Sequence, residues 1–128
     1  SRLRAPCRRV VEAVGEGSLA ATTTVEVIQE FMHVRARRHD RADAADLAAR
    51  FVDLLAPLEQ PDEMAVRSGV RIFRDHEAGG AFDAVLAAIA IDRPHIRGLL
   101  SADRGFASVA DLVHIDPGDA DALGRLAI

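Results

Sequence analysis

Apolar residues recur at helical spacing through most of this chain, and short apolar runs lie between the helical stretches. Val10, Val11 and Val14 give Pro6–Val14 a helical stripe, which Gly15 and Gly17 terminate. The bounded apolar and threonine content of Ser18–Thr22 predicts a short strand, centred on Leu19–Thr22. Thr23 or Thr24 supplies an N-cap for a helix over Val25–Arg38. Asp40 or Asp43 opens the next helix, Asp43–Leu55, with Ala44, Leu47, Phe51, Leu54 and Leu55 along its apolar stripe. Pro57 and Pro61 bracket a connector or strand. A helix begun at Asp62 and covering Glu63–Arg74 turns Met64, Val66, Val70 and Phe73 inward. "EAGGAF" breaks the chain before a helix over Phe82–Ile91, which Pro94 ends. "IRGLLSA" and "LVHIDP" read as strands within Arg97–Ala102 and Leu112–Ile115, and "DADALGRLA" as a last helical turn or two.

Strands separated by helices define an α/β domain with a mostly parallel sheet. The length of 128 residues suits a single domain, spanning 1–128. In such sheets ligand sites gather at the carboxyl ends of strands, which directs attention to Asp103 at the end of "LLSAD".

Composition narrows the function classes. With 49% hydrophobic and 28% charged residues the chain is globular rather than disordered. Its longest apolar run, Ala84–Ile91, is too short to span a bilayer, and no signal peptide opens it. The single Cys7 excludes an internal disulfide framework and a cysteine zinc site, so a reducing cytoplasmic setting is the simplest expectation. A net charge of −4 does not advertise a nucleic-acid binder. All 16 basic residues are arginine, and several cluster between Arg35 and Arg41. That run suits a solvated helix C-terminus better than a phosphate-binding patch. Tyr and Trp are absent, leaving no evident stacking platform of that kind.

Three acids carry the candidate chemistry. Asp103 lies two residues after Ser101, so an extended backbone puts a hydroxyl and a carboxylate on one face; "SADRG" also has good turn chemistry. Asp83 occupies the first turn of a helix that is otherwise almost wholly apolar. There it complements the helix dipole, by about 0.3–1 kcal/mol, and the burial of the helix behind it places that end at a cleft. Glu30 interrupts a stripe containing Val27, Phe31 and Val34, and a carboxylate so placed needs a partner, either an arginine or a ligand. His33 and His114 read as a helix-surface residue and a strand residue rather than ligands.

"TTTVEVIQEF", "GAFDAVLAA" and "LLSADRGFA", in this order and at these separations, resemble the PIN domain, and more narrowly the VapC-type toxins of bacterial type II toxin–antitoxin pairs. The likeness runs from about Pro6 to Pro117. It implies a three-layer α/β/α nuclease whose acids bind Mg²⁺ or Mn²⁺. Glu30 of "QEF", Asp83 of the "FDAVLAA" helix and Asp103 of "SAD" match the family's metal-holding, catalytic acids, and Ser101 matches a supporting hydroxyl residue. Hard divalent cations prefer such oxygen donors and relieve the repulsion among gathered carboxylates. The implied activity is endoribonuclease cleavage of RNA phosphodiesters. The implied partners are an RNA substrate, a cognate antitoxin, and either a second copy or a toxin–antitoxin hetero-oligomer, with no membrane.

The likeness departs at the front. The family opens with a central strand ending in Asp, in a "DTS" or "DTN" setting, and nothing before Leu19 matches it. A strand and short helix of roughly 15–20 residues are expected there. That departure sustains an alternative: a catalytically impaired PIN-like binding module that still engages a cognate antitoxin.

Overall fold

The computed structural model describes residues 4–76 and 79–126. They form six α-helices and one two-stranded parallel sheet, an α/β arrangement. The chain divides into two compact units. One is Ala20–Gln60, and the other comprises the residues before and after it.

In the Ala20–Gln60 unit, helix α2 (Val25–Arg38) and helix α3 (Arg41–Leu55) form a hairpin. Thr24 caps α2 by accepting from the Val27 N–H at 3.3 Å, and Asp40 caps α3 by accepting from the Asp43 N–H at 2.7 Å. The pair is clasped by Phe31 and Phe51, edge to face with ring centroids 5.3 Å apart. A 2.8 Å ion pair joins Arg35 to Asp43, and the Arg35 guanidinium holds the Asp43 carboxyl below the usual carboxylate range. Arg35 therefore serves the helix hairpin, in keeping with the structural reading of the arginine run.

The strand expected at Leu19–Thr22 does not form. A strand is defined by its pairing, and among the described residues the nearest pairing lies beyond this segment, where Thr24 and Glu59 make an isolated parallel bridge. Glu59 N–H donates to Thr23 O at 2.8 Å and Val25 N–H to Glu59 O at 3.0 Å.

The other unit begins with α1 (Arg4–Glu16). Gly17, at φ +81°, ends it by donating to Val14 O, while Ser18 N–H reaches Ala13 O. This glycine-terminated pattern satisfies the last carbonyls of the helix. Helix α4 (Glu63–Asp75), capped by Asp62, packs against α5 (Ala81–Asp92). Their meeting face differs from the expected one. Met64, Val66, Val70 and Phe73 are exposed, whereas Ala65, Ser68 and Gly69 are buried. The two helices approach too closely for large side chains: a Cβ at Gly69 would stand 2.7 Å from Val85 Cγ2. On α5 the buried residues are Ala84, Ala87, Ala88 and Ile89.

After α5 come strand β1 (Leu99–Leu100), a short 3₁₀ helix (Arg104–Ser108), strand β2 (His114–Ile115) and α6 (Ala120–Leu126). The strands pair in parallel, Leu99 with His114 and Leu100 with Ile115, as the sequence predicts but over fewer residues. Gly98 permits the approach, since a Cβ there would lie 2.9 Å from the Val113 carbonyl that accepts from Leu99 N–H. No helix among the described residues is long and apolar enough to cross a membrane.

Candidate active site

Asp83 and Asp103, twenty positions apart in sequence, line one small, open cleft. Three features of the chain bring them there. Asp83 sits in the first turn of α5, whose N-cap, Gly80, offers no side-chain hydrogen bond to the helix. The turn before it passes through Gly79 at φ +84°, and a Cβ on that residue would lie 3.4 Å from Asp83 Oδ2. Glycine thus provides both the left-handed backbone and the space beside the carboxylate.

Asp103 is set by the loop after β1. Its Oδ1 accepts from Gly105 N–H at 2.9 Å, capping the 3₁₀ helix. Ser101 Oγ accepts from the Asp103 N–H at 3.1 Å. Ser101 therefore holds the backbone of Asp103, while its own carbonyl accepts from His114 Nε2–H at 2.8 Å. The turn reading and the functional reading of "SADRG" coexist: one carboxylate oxygen makes the turn, and Oδ2 makes no hydrogen bond among the described residues.

The rest of the cleft is mostly apolar. Ile72 and Phe73 of α4 and Phe106 and Val109 of the loop after β1 supply its walls, together with Ala84 and Ala87 of α5. His76, at the C-terminus of α4, also lines it and lies 2.9 Å from Ser108 Oγ. Sequence reasoning missed His76 and Ser108. A lone histidine after a helix has no periodic signal, and only the packing of α4 beside the 3₁₀ helix reveals the pair.

Glu30 belongs to the other unit, on α2, where it is exposed rather than embedded in a buried stripe. Its apolar neighbour Val34 is itself 41% exposed, so α2 does not bury that face as expected. Within either unit, the described residues contain no group of three or more His, Cys, Asp or Glu side chains arranged to hold a metal ion. His33 is exposed on α2 and His114 lies in β2 beside Phe106, as the sequence suggests.

A small parallel sheet, an acid in the loop after its first strand and a second acid at a helix N-terminus are the features of a recognisable class. The chain belongs to the PIN-domain family, whose profile matches residues 2–112. Within that family it is of VapC type. It is 43% identical over 127 residues to Ribonuclease VapC7 of Mycobacterium tuberculosis, an alignment covering 98% of this chain and 85% of that protein. No solved structure matches the chain.

Proposed function

We propose that this protein is a metal-dependent endoribonuclease of the toxin type, acting through the cleft that Asp83 and Asp103 share. The observation that carries the reading is that convergence, in a chain 43% identical to a protein named as a ribonuclease. The donor set fits a hard divalent cation. Both groups are carboxylates, one comes from a helix end and one from a strand-end loop, and the cleft lining contains no thiol. Asp83 and Asp103 would hold Mg²⁺ or Mn²⁺; the resemblance of "QEF" to the family motif is what would add Glu30 to the set. A divalent ion bound there supplies a Lewis acid that activates water and offsets charge on a phosphate under attack.

The chain's own residues do the positioning. Gly105 N–H fixes one oxygen of Asp103, and Ser101 fixes its backbone, so the second oxygen is presented without a competing hydrogen bond among the described residues. Gly79 leaves room for the Asp83 carboxylate at the foot of α5. Asp83 is half-buried against the apolar wall, and Asp103 is exposed at the mouth of the cleft, open to a hydrated cation. The protein acts on RNA in the cytoplasm and is restrained by a cognate antitoxin, as a homodimer or within a hetero-oligomer with it. Helix-in-groove docking on an apolar helical face suits that restraint.

The test is cleavage of a labelled single-stranded RNA with Mg²⁺ or Mn²⁺ and with chelator. Cleavage should require the metal and disappear in Asp83→Asn and Asp103→Asn, with thermal unfolding unchanged. Cleavage that survives chelation or both substitutions would refute the reading.

A further inference from the structure

We propose that His114 is a positioning residue for Asp103: through Ser101 it holds the end of β1 where the Asp103 carboxylate can meet the cation. The inference rests on the metal-dependent ribonuclease reading and adds a residue outside the cleft on which that site depends. His114 lies in β2 and is not among the residues lining the cleft. Its Nε2–H donates to the Ser101 carbonyl at 2.8 Å, in a part-buried setting. A carbonyl only accepts, so the proton of this bond belongs to the imidazole.

The sheet cannot supply that bond itself. Leu99 lies opposite His114 in the parallel pair; Leu99 N–H donates to Val113 O at 2.8 Å and Ser101 N–H to Ile115 O at 3.0 Å. In such a ladder each residue donates to one side of its partner and accepts from the other. In this register the donor due to Ser101 O is residue 117, a proline, which has no N–H. The ladder therefore stops at Ser101, and the His114 imidazole takes the place of the missing rung. Ser101 is gripped at its N–H by Ile115 O, at its carbonyl by His114, and at its hydroxyl by the Asp103 N–H. The same imidazole lies beside Phe106, with ring centroids 6.2 Å apart. Phe106 is buried, lines the cleft, and donates its N–H to Asp103 O at 3.4 Å. His114 thus flanks the chain on both sides of Asp103, at the strand end before it and in the 3₁₀ helix after it. Asp103 is exposed, so its placement is inherited from these neighbours. Outer partners of this kind orient a metal-binding side chain and tune its affinity.

The experiment combines Mn²⁺ calorimetry with amide hydrogen exchange of the metal-free protein, read by NMR, for the parent and its variants. His114→Ala should weaken Mn²⁺ binding about tenfold, the lower end of the loss caused by removing an outer partner of a metal ligand. It should also speed exchange of the Asp103 and Gly105 amides, whose hydrogen bonds order the loop. His114→Gln, whose terminal amide reaches about as far as Nε2, should recover most of the affinity. His114→Asn, with a shorter side chain, should not. Ser101→Ala should weaken binding in the same direction. Combined with His114→Ala it should lose less than the sum of the two, because both act through the placement of Asp103. Unfolding midpoints verify that each variant is folded.

Parental Mn²⁺ affinity in a folded His114→Ala variant would overturn the role. A lowered unfolding midpoint with unaltered affinity would make His114 a structural residue of the sheet alone, and would overturn it too. So would unchanged exchange at Asp103. Should the alanine variant fail to fold, the comparison of Gln with Asn decides, and equal affinity in those two variants would refute the hydrogen bond's part in the site. Absence of Mn²⁺ binding by the parent would overturn the metal reading itself, whereas tight binding by parent and variants alike would overturn only the role of His114.

Discussion

Replacing Gly69 by alanine sets two effects of similar size against each other. In an ordinary helix interior alanine is better than glycine by about 1 kcal/mol. Gly69, however, is buried where α4 meets α5. A Cβ there would stand 2.7 Å from Val85 Cγ2 and 3.0 Å from Val85 Cα. Rotation of the valine relieves the first contact. The second is with backbone, so its relief requires the two helices to part. Overpacking of this kind costs about 1–3 kcal/mol. The steric cost therefore exceeds the propensity gain over most of its range, leaving a net loss of about 1 kcal/mol. For a chain of this length the unfolding midpoint should fall by roughly 4 °C. The assay is thermal unfolding followed by circular dichroism for the parent, Gly69→Ala, Val85→Ala and the double variant. Val85→Ala removes Cγ2 and keeps Cα, so the double-mutant cycle should recover part of the loss and not all of it. A midpoint raised by Gly69→Ala, as at an exposed helical glycine, would refute the close approach. Because α5 carries Asp83, it would also remove one support for how the cleft is built.

Two further perturbations probe the Ala20–Gln60 unit. Thr24→Ala removes a buried hydroxyl that accepts from the Val27 N–H at 3.3 Å, and should lower stability by about 1 kcal/mol in urea unfolding; an unchanged midpoint would contradict the cap. Asp43→Asn tests the ion pair with Arg35. A carboxyl whose folded-state pKa is depressed adds stability above its unfolded pKa and loses it as pH falls through the folded value. The parent should thus exceed the variant at neutral pH by a small, salt-sensitive margin that vanishes in acid, because the side chains are 33% and 37% exposed. A margin that persists at low pH would contradict the assignment.

Local signals in the sequence identified helices well and identified strands and faces less well. Capping chemistry and apolar spacing placed α2 at Val25–Arg38, and the structure has the same bounds. The parallel pairing of the last two strands was also legible, because each is a short apolar run separated from the other by a loop with its own turn chemistry. The Leu19–Thr22 strand was not, since extended backbone becomes a strand only when a distant segment pairs with it. The inward face of α4 was misassigned because the largest apolar residues usually mark the core. Here contact with the alanine-rich α5 selects Ala65, Ser68 and Gly69, and leaves Val70 and Phe73 exposed. Residue type and position at element ends singled out Asp83 and Asp103, and the structure places both in the lining of one cleft. Ser101 was singled out by its spacing from Asp103, and in the structure its hydroxyl accepts from the Asp103 backbone N–H. His76 had no such signal, since its place in the cleft depends on tertiary packing alone.

The central claim is that Asp83 and Asp103 act on one cation. Mn²⁺ binding measured by calorimetry on the parent, Asp83→Asn and Asp103→Asn tests it most directly. Both substitutions should weaken the same binding event by tenfold or more, with unfolding midpoints close to the parent's. Parental Mn²⁺ affinity in either variant, or the loss of a different binding event in each, would contradict the shared site.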